Sequence, residues 1–412
     1  MSPIVQIPDF IDSILPHFAD VFHCEPQRKH FLEYVTGLII ASNKTVTGIN
    51  SEFVNTTDQS CLNRFVTQVN WDVEELNERR LELMQQDDQT RYQYDGVIAV
   101  DNVLIDHDGK LIEDVGYMWD HAEERAKIAH DYVIANYVCN SGKHYPLDFR
   151  RFKKREQCEA AGKTFLDHND LLRELVDWVC DRDIPGDFTF DSYFTNAYSL
   201  NYIHAKRDQY DRPRGYVADL KLNRNIEYRG RQIRVDEFAR NTPHENRKEI
   251  RRGDKRQWHF TCTVRLPRVE HKVRLVIIWN HRRDEKPRKI LVSNRVNWEV
   301  KRILRCYRFR WTGTETFHRD GKQHLGMGDC QLRSGQGQTR HLYLVMLAYS
   351  LLMLELKQRR AKKWAGTILK TIGEACRAIT KHVLFDTVQW AIENVVQQKL
   401  TTKQVMARLA LT

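Results

Sequence analysis

Apolar positions in the first ninety residues recur at three- and four-residue spacing. In FLEYVTGLIIA they fall at Phe31, Tyr34, Val35, Leu38 and Ile39, which predicts a helix. Two shorter helical segments follow, Thr45–Phe53 and Ser60–Val69, split by the polar turn Asn55–Thr57 and capped by Asp58 or Ser60. WDVEELNERRLELMQQDDQTR reads as a helix running into a polar linker. At residue 96 the period changes. GVIAVDNVLID is a β-branched run with an acid, Asp101, embedded in it, and suits a buried strand. LIEDVGYMWD (111–120) and DYVIANYVC (131–139) read as further strands. An amphipathic helix is predicted from about Asp167 to Cys180, capped by Asp167 or Asn169. A strand ending at Asp191, a helix, and a strand in RGYVADLKLNRNI follow. Residues 221–289 alternate in strand fashion, as in WHFTCTVRLP and HKVRLVIIWN, around Arg/Lys-rich turns such as NRKEIRRGDKRQ. RKILVSNRV adds a short strand, and a helical tract begins near Trp298. Within that tract HLYLVMLAYSLLMLELK is apolar on all sides and predicts a buried core helix.

The order β-β-β-α-β-α-β is the layout of a ribonuclease H-like core. The expected fold is therefore α/β: a ribonuclease H-like mixed-sheet core, interrupted by a mostly β insertion, with a helical N-terminal domain and a helical tail. The segments are 1–90 (helical), 91–220 (core, first part), 221–289 (β insertion), 290–357 (core, last part) and 358–412 (tail). Two short helices around a tight turn fit a helix-turn-helix, and equally an ordinary small bundle. On the first reading Lys44, Asn63, Arg64 and Gln68 would touch DNA.

Charge sharpens this picture. The net charge is +10, and residues 221–289 alone hold 21 Lys/Arg against 9 Asp/Glu, an excess of +12. The remainder is near neutral, so the polyanion-binding character is concentrated in the insertion. The nine cysteines are scattered without a CxxC pair, which argues against a zinc site or disulfide framework and suits a reducing cytoplasm. No stretch reaches the ~18 apolar residues of a membrane span, and MSPIVQIPDFIDSILPHF has no signal-peptide pattern.

Three separated acids carry the candidate chemistry. Asp101 and Asp191 stand where apolar strand runs end; Asp219, in VADLK, is the alternative to Asp191. YRFRWTGTETFHRDGKQHLG (307–326) sets Glu315 among Arg308, Arg310, Arg319, Lys322 and two histidines. Ordinary helix ion pairs, at ~0.2–0.5 kcal/mol each, are one reading. The other is a metal-binding acid among cations that hold phosphate. A strand-end carboxylate needs a cation or hydrogen bonds to compensate its burial. Mg²⁺ takes such oxygen ligands, and two ions ~3.5–4 Å apart can activate an attacking oxygen and stabilise a leaving one. Trp119, Trp279, Trp298 and Trp311 read as packing residues or as base-stacking platforms.

The same stretch resembles the Y-R-E-K signature of the DDE transposases of bacterial insertion sequences, the class with a β-strand insertion before its last acid. Tyr307 and Arg310 stand at the signature's two-residue gap, and Lys322 follows Glu315 after six residues. Four residues separate Arg310 from Glu315, where the usual pattern has three. GVIAVDNV and FTFDSYFTN resemble the strands of the first and second aspartates, with Tyr193 two positions after Asp191. YVADLKLNRNI is similar to the next strand, with Lys221, Asn223 and Arg224. The resemblance covers roughly residues 30–355. It implies Asp101, Asp191 and Glu315 as catalytic metal ligands for two Mg²⁺ ions, with Mn²⁺ able to substitute. Tyr307, Arg310, His318, Arg319 and Lys322 would support them or hold DNA phosphate. It implies cleavage at transposon ends, 3′-hydroxyl transfer into target DNA, a homodimer, and a cytoplasmic, nucleoid-associated setting in a bacterium or archaeon. A non-cutting DNA-binding relative and a nuclease without strand transfer are the alternatives.

Overall fold

The computed structural model describes residues 3–120, 123–252 and 255–409; Gly253 and Asp254, from the stretch that the sequence suggests as a basic turn, lie outside them. The chain forms two compact units: 1–91 with 104–131 and 316–412, and 92–103 with 132–315. The helical segment expected over 1–90 thus shares a unit with the C-terminal residues.

In the first unit the Gly335–Glu355 helix is the core, buried on nearly every side. Its length and uniform apolarity dictate that position. Its polar side chains find partners there. Arg340 donates to the carbonyls of Trp71 (2.9 Å) and Val66 (3.3 Å), Ser350 Oγ accepts from Arg80 (2.9 Å), and His341 joins Tyr34 Oη at 2.9 Å. Burial lowers the His341 pKa to about 4, so its ring is neutral. The helices Glu25–Ile40, Val46–Glu52, Gln59–Thr67 and Val73–Gln85 belong to this unit. Thr45 and Asp58 cap the two short ones through hydrogen bonds to Gly48 and Ser60.

The strands are β1 Val97–Asp106, β2 Gly116–Asp120, β3 Arg125–Val138, β4 His144–Phe152, β5 Asp187–Phe190, β6 Tyr216–Asp219, β7 Asn225–Tyr228, β8 Arg231–Arg234, β9 Lys248–Arg252, β10 Lys255–Val264, β11 Val273–Trp279 and β12 Lys289–Ser293. In the first unit β2 pairs antiparallel with Arg125–Ala129 of β3. In the second unit the sheet order is β4-β3-β1-β5-β6-β12-β11-β10-β9, and β7-β8 form a separate hairpin. β5 runs parallel to β1 and β6 parallel to β5. The large mixed sheet with its many helices is consistent with a ribonuclease H-like fold. β12 pairs antiparallel with β6, so β9–β12 prolong the same sheet instead of forming a layer of their own.

Sequence expectations and elements agree for β1, β5, β6, β10, β11 and β12, and for the His168–Asp181 helix, which Asp167 caps with a capping box. β2 is shorter than the apolar run 111–120, and β4 had no expected counterpart. HYPLDFRRF lacks the β-branched enrichment that marks a strand, and its pairing with β3 holds it extended.

A buried ion pair ties β5 to the turn after β12. Arg295 Nε and Nη2 donate to Asp187 Oδ1 at 2.9 and 2.7 Å. Burial raises the Asp187 pKa and Arg295 opposes the rise. Arg295→Ala should lower unfolding free energy by about 3–5 kcal/mol, because it leaves a buried carboxylate without its cation. Denaturant titration measures this; a loss below about 1 kcal/mol would mean that water reaches Asp187.

Candidate active site

Three parallel strands meet in register; β5 and β6 end at this level, and β1 runs on to Asp106. Ala99 of β1 pairs with Thr189 of β5, and Phe190 of β5 pairs with Ala218 of β6. Two residues past the first pairing stand Asp101 and Asp191; one past the second stand Asp191 and Asp219. Adjacent strands lie ~4.8 Å apart, and equal register places the three side chains on one sheet face.

That face is covered by the Val300–Arg310 helix. Val97, Ala99, Val217 and Leu291 pack there with Val300, Ile303, Cys306 and Phe309. The helix buries every third or fourth residue, as its pattern requires. Asp101 continues the β1 stripe Val97–Ala99 beyond the apolar contact, where the helix delivers Arg310. The next residues, Trp311–Glu315, form a π-helical turn. A π turn takes one more residue than an α turn, and it accommodates the four residues between Arg310 and Glu315. Gly313 makes the close approach possible. A Cβ there would lie 2.7 Å from Val138 Cγ2 and 3.0 Å from Ala99 Cβ.

The result is a charged cluster at the edge of the core. Arg310 Nη1 is hydrogen-bonded to Asp101 Oδ2 and lies 3.9 Å from Glu315 Oε1. Thr314 Oγ1 is 3.4 Å from Asp101 Oδ2. Burial pushes the Asp101 carboxyl up to about 7; Arg310 pulls it down, and the charges of Asp191 and Glu315 push it up. Asp191 Oδ1 accepts the Tyr193 N–H at 2.8 Å, which fixes its rotamer and leaves Oδ2 for another partner. Asp219 is neutralised instead. Lys289 Nζ lies 3.1 Å from both Asp219 Oδ2 and Tyr307 Oη. Lys289 and Thr314 were not singled out in the sequence. Each is one residue in an ordinary strand or turn, and only the fold gives it a partner.

The remaining candidates are placed as follows. Lys221, Asn223 and Arg224 are exposed just beyond Asp219, and Asn223 and Arg224 line a cleft with Thr195 and Asn196. His318, Arg319 and Lys322 belong to the first unit. His318 is buried, Arg319 donates twice to Asp320 Oδ1 (2.9 and 2.8 Å), and Lys322 Nζ donates to the Leu104 carbonyl at 2.6 Å. Burial lowers the Lys322 pKa. The sequence placed these three on one helical face with Glu315; in the structure they stand on the Thr316–His324 helix of the first unit, whereas Glu315 ends the π turn of the second. Lys44 is buried and donates to the Ala41 carbonyl, whereas Arg64 and Gln68 are exposed and Asn63 half-buried. Trp279 is fully buried, Trp298 lies under the Arg302 guanidinium at 3.9 Å, and Trp119 and Trp311 are 56% and 62% exposed.

Asp101, Asp191 and Glu315 offer oxygen donors and negative charge, the donor chemistry of a hard divalent cation. As the side chains stand, no three His, Cys, Asp or Glu among the described residues converge closely enough to ligate one ion. Arg310 supplies the positive charge between Asp101 and Glu315. The acids therefore fit a divalent cation in type, provided Arg310 yields Asp101.

Residues 17–185 match the family model described as DDE superfamily endonuclease. The match takes in Asp101 and stops short of Asp191 and Glu315. It supports a DDE-type nuclease or transposase family, and with it metal-dependent DNA cleavage. No curated protein matches the chain.

Gly313→Val should destabilise the protein by about 1–3 kcal/mol through overpacking against Val138 and Ala99. Thermal unfolding reads this directly; an unchanged melting temperature would show that the π turn can lift away from the sheet.

Proposed function

We propose that the protein is a DNA transposase that cleaves the ends of its own element and joins the freed 3′-hydroxyl to target DNA. The reading rests on one observation: Asp101, Asp191 and Glu315 gather around Arg310, beside parallel strands in register in a mixed sheet. The endonuclease family match over 17–185 supports it. So does the signature-like order Tyr307, Arg310, Glu315, Lys322.

In this reading Asp101, Asp191 and Glu315 hold two Mg²⁺ ions, with Mn²⁺ as a substitute. Bound ions of this kind supply the Lewis acidity that activates an attacking water or hydroxyl and stabilises the leaving oxygen. The chain's own groups do the rest. Arg310, released from Asp101, offers a planar fork of donors to a phosphate. Lys289 neutralises Asp219 and fixes Tyr307 Oη beside the strand ends. No serine or tyrosine nucleophile is called for. The Gln59–Thr67 helix and the basic segment 221–289 bind the terminal repeats, and two copies assemble as a homodimer to hold both ends. The setting is the nucleoid of a bacterial or archaeal cytoplasm.

The deciding experiment incubates the protein with a plasmid carrying its coding sequence and native flanks, with Mg²⁺ or EDTA. Metal-dependent breaks at the element ends, joined products, and roughly 100-fold or greater loss in Glu315→Gln are expected, the scale set by outer-shell losses at metal sites. Breaks without joined products would leave a nuclease; binding without breaks would leave a non-cutting relative.

Metal binding should also depend on pH. A cation needs Asp101 ionised, and its carboxyl titrates near 7. Mn²⁺ affinity should therefore fall up to about tenfold per pH unit below 7 and level off above it. Calorimetry between pH 5.5 and 8.5 tests this. A flat profile in the unaltered protein would mean that Asp101 is not a ligand or that its carboxyl ionises below pH 5.5.

A further inference from the structure

The Val300–Arg310 helix has a second face that the acid cluster does not use. Lys301, Arg305 and Arg308 follow one another at i, i+4 and i+7 and are exposed on one side of it. They form one wall of a groove whose other wall is the β9–β10 hairpin, through Ile250, Arg251 and Gln257. Among the described residues no carboxylate lines this groove. Among the described residues Lys301, Arg305 and Arg308 form no ion pair; Arg305 donates to Asn140 Oδ1 at 2.7 Å.

The hairpin wall repeats the pattern. Arg251 stands directly opposite Arg256 in the antiparallel register. Like charges in that position destabilise a sheet. Glu249 is shared between them, 2.9 Å from Arg251 and 3.9 Å from Arg256, and one carboxylate cannot neutralise both. Three cations on one wall of the groove, unpaired with acids among the described residues, and Arg251 on the other, whose one carboxylate is shared with Arg256, call for an anion from outside.

The groove is also aligned with the acid cluster. At 1.5 Å per residue, Arg308 precedes Glu315 by roughly 10 Å along one continuous helical path. A backbone lying against Lys301, Arg305 and Arg308 would be led toward Asp101 and Glu315.

We infer that this groove is a track for the phosphate backbone of double-stranded DNA, positioning the duplex for the acid cluster. The inference rests on the DNA-processing reading above and deepens it, by assigning Lys301, Arg305, Arg308 and Arg251 to backbone contact. Base recognition is not assigned to it: the role inferred for its cations is phosphate contact, which positions the duplex and carries no direct sequence information.

The test is the salt dependence of binding to a 30-base-pair duplex of arbitrary sequence, read by fluorescence anisotropy. The triple variant Lys301→Gln, Arg305→Gln, Arg308→Gln keeps good helix formers at exposed positions, so its fold should persist. Losing three phosphate contacts should lower the slope of log K against log salt by about 2.7. Arg251→Gln, on the opposite wall, should lower it by about 0.9. A control with Lys110, Lys163 and Arg182 changed to Gln has the same charge loss at exposed sites elsewhere, and should keep the slope. An unchanged slope in the triple variant, or an equal fall in the control, overturns the groove. If the unaltered protein cuts DNA while the triple variant keeps its slope, the groove alone fails. If the unaltered protein neither binds nor cuts DNA, the reading beneath it fails too.

Discussion

A carboxylate set into the face of a sheet must be met by positive charge, and in the second unit Asp101 imposes that demand. Its strand is buried and its neighbours in register are also acids. Without a cation the burial of one charge would cost several kcal/mol, more than any exposed ion pair returns. Arg310 answers the demand, and the path of the chain from Val300 to Glu315 follows from it. The helix must lie along Val97, Ala99, Val217 and Leu291 to bring Arg310 to the end of the apolar stripe. It must then gain a residue in the π turn for Glu315 to come back to the same guanidinium.

The same balance bears on the metal ions of the proposed function. Arg310 and a divalent ion would satisfy the same oxygens, so they compete. An arginine in this place keeps mutually repelling acids together, and a site held by its own side chain is stable without being closed to a stronger ligand. Asp219 shows the contrast. It stands at the end of β6, level in register with Asp191, but Lys289 from the antiparallel neighbour β12 neutralises it, and Tyr307 shares that lysine. Equal register does not give equal chemistry.

Extending the core sheet through β12 to β9 has a related consequence. The basic hairpin becomes part of the framework that carries the acids, and it faces the exposed side of the helix whose buried side packs on the core. One helix therefore has three duties: its apolar stripe anchors it, its C-terminal end supplies Arg310, and its outer face carries Lys301, Arg305 and Arg308.

What the sequence determined by itself is what local pattern can encode. Apolar β-branched runs and, over 221–289, alternation located the strands β1, β5, β6, β10, β11 and β12, Asp167 or Asn169 marked the start of the His168–Asp181 helix, and the apolar run HLYLVMLAYSLLMLELK marked a core helix within Gly335–Glu355. The acids Asp101, Asp191 and Glu315 stood out because an acid at the end of an apolar run, or among cations, departs from its surroundings. Only the tertiary structure decided how they relate. Register between strands far apart in sequence put Asp219 level with Asp191, and packing of Gly313 against Val138 and Ala99 set the π turn. The π turn changes the helical phase between Arg310 and Glu315, and a one-residue change of phase is invisible to periodicity. Asp320 beside Arg319, Lys289 beside Asp219 and the two walls of the basic groove are pairings across space, which no spacing along the chain specifies.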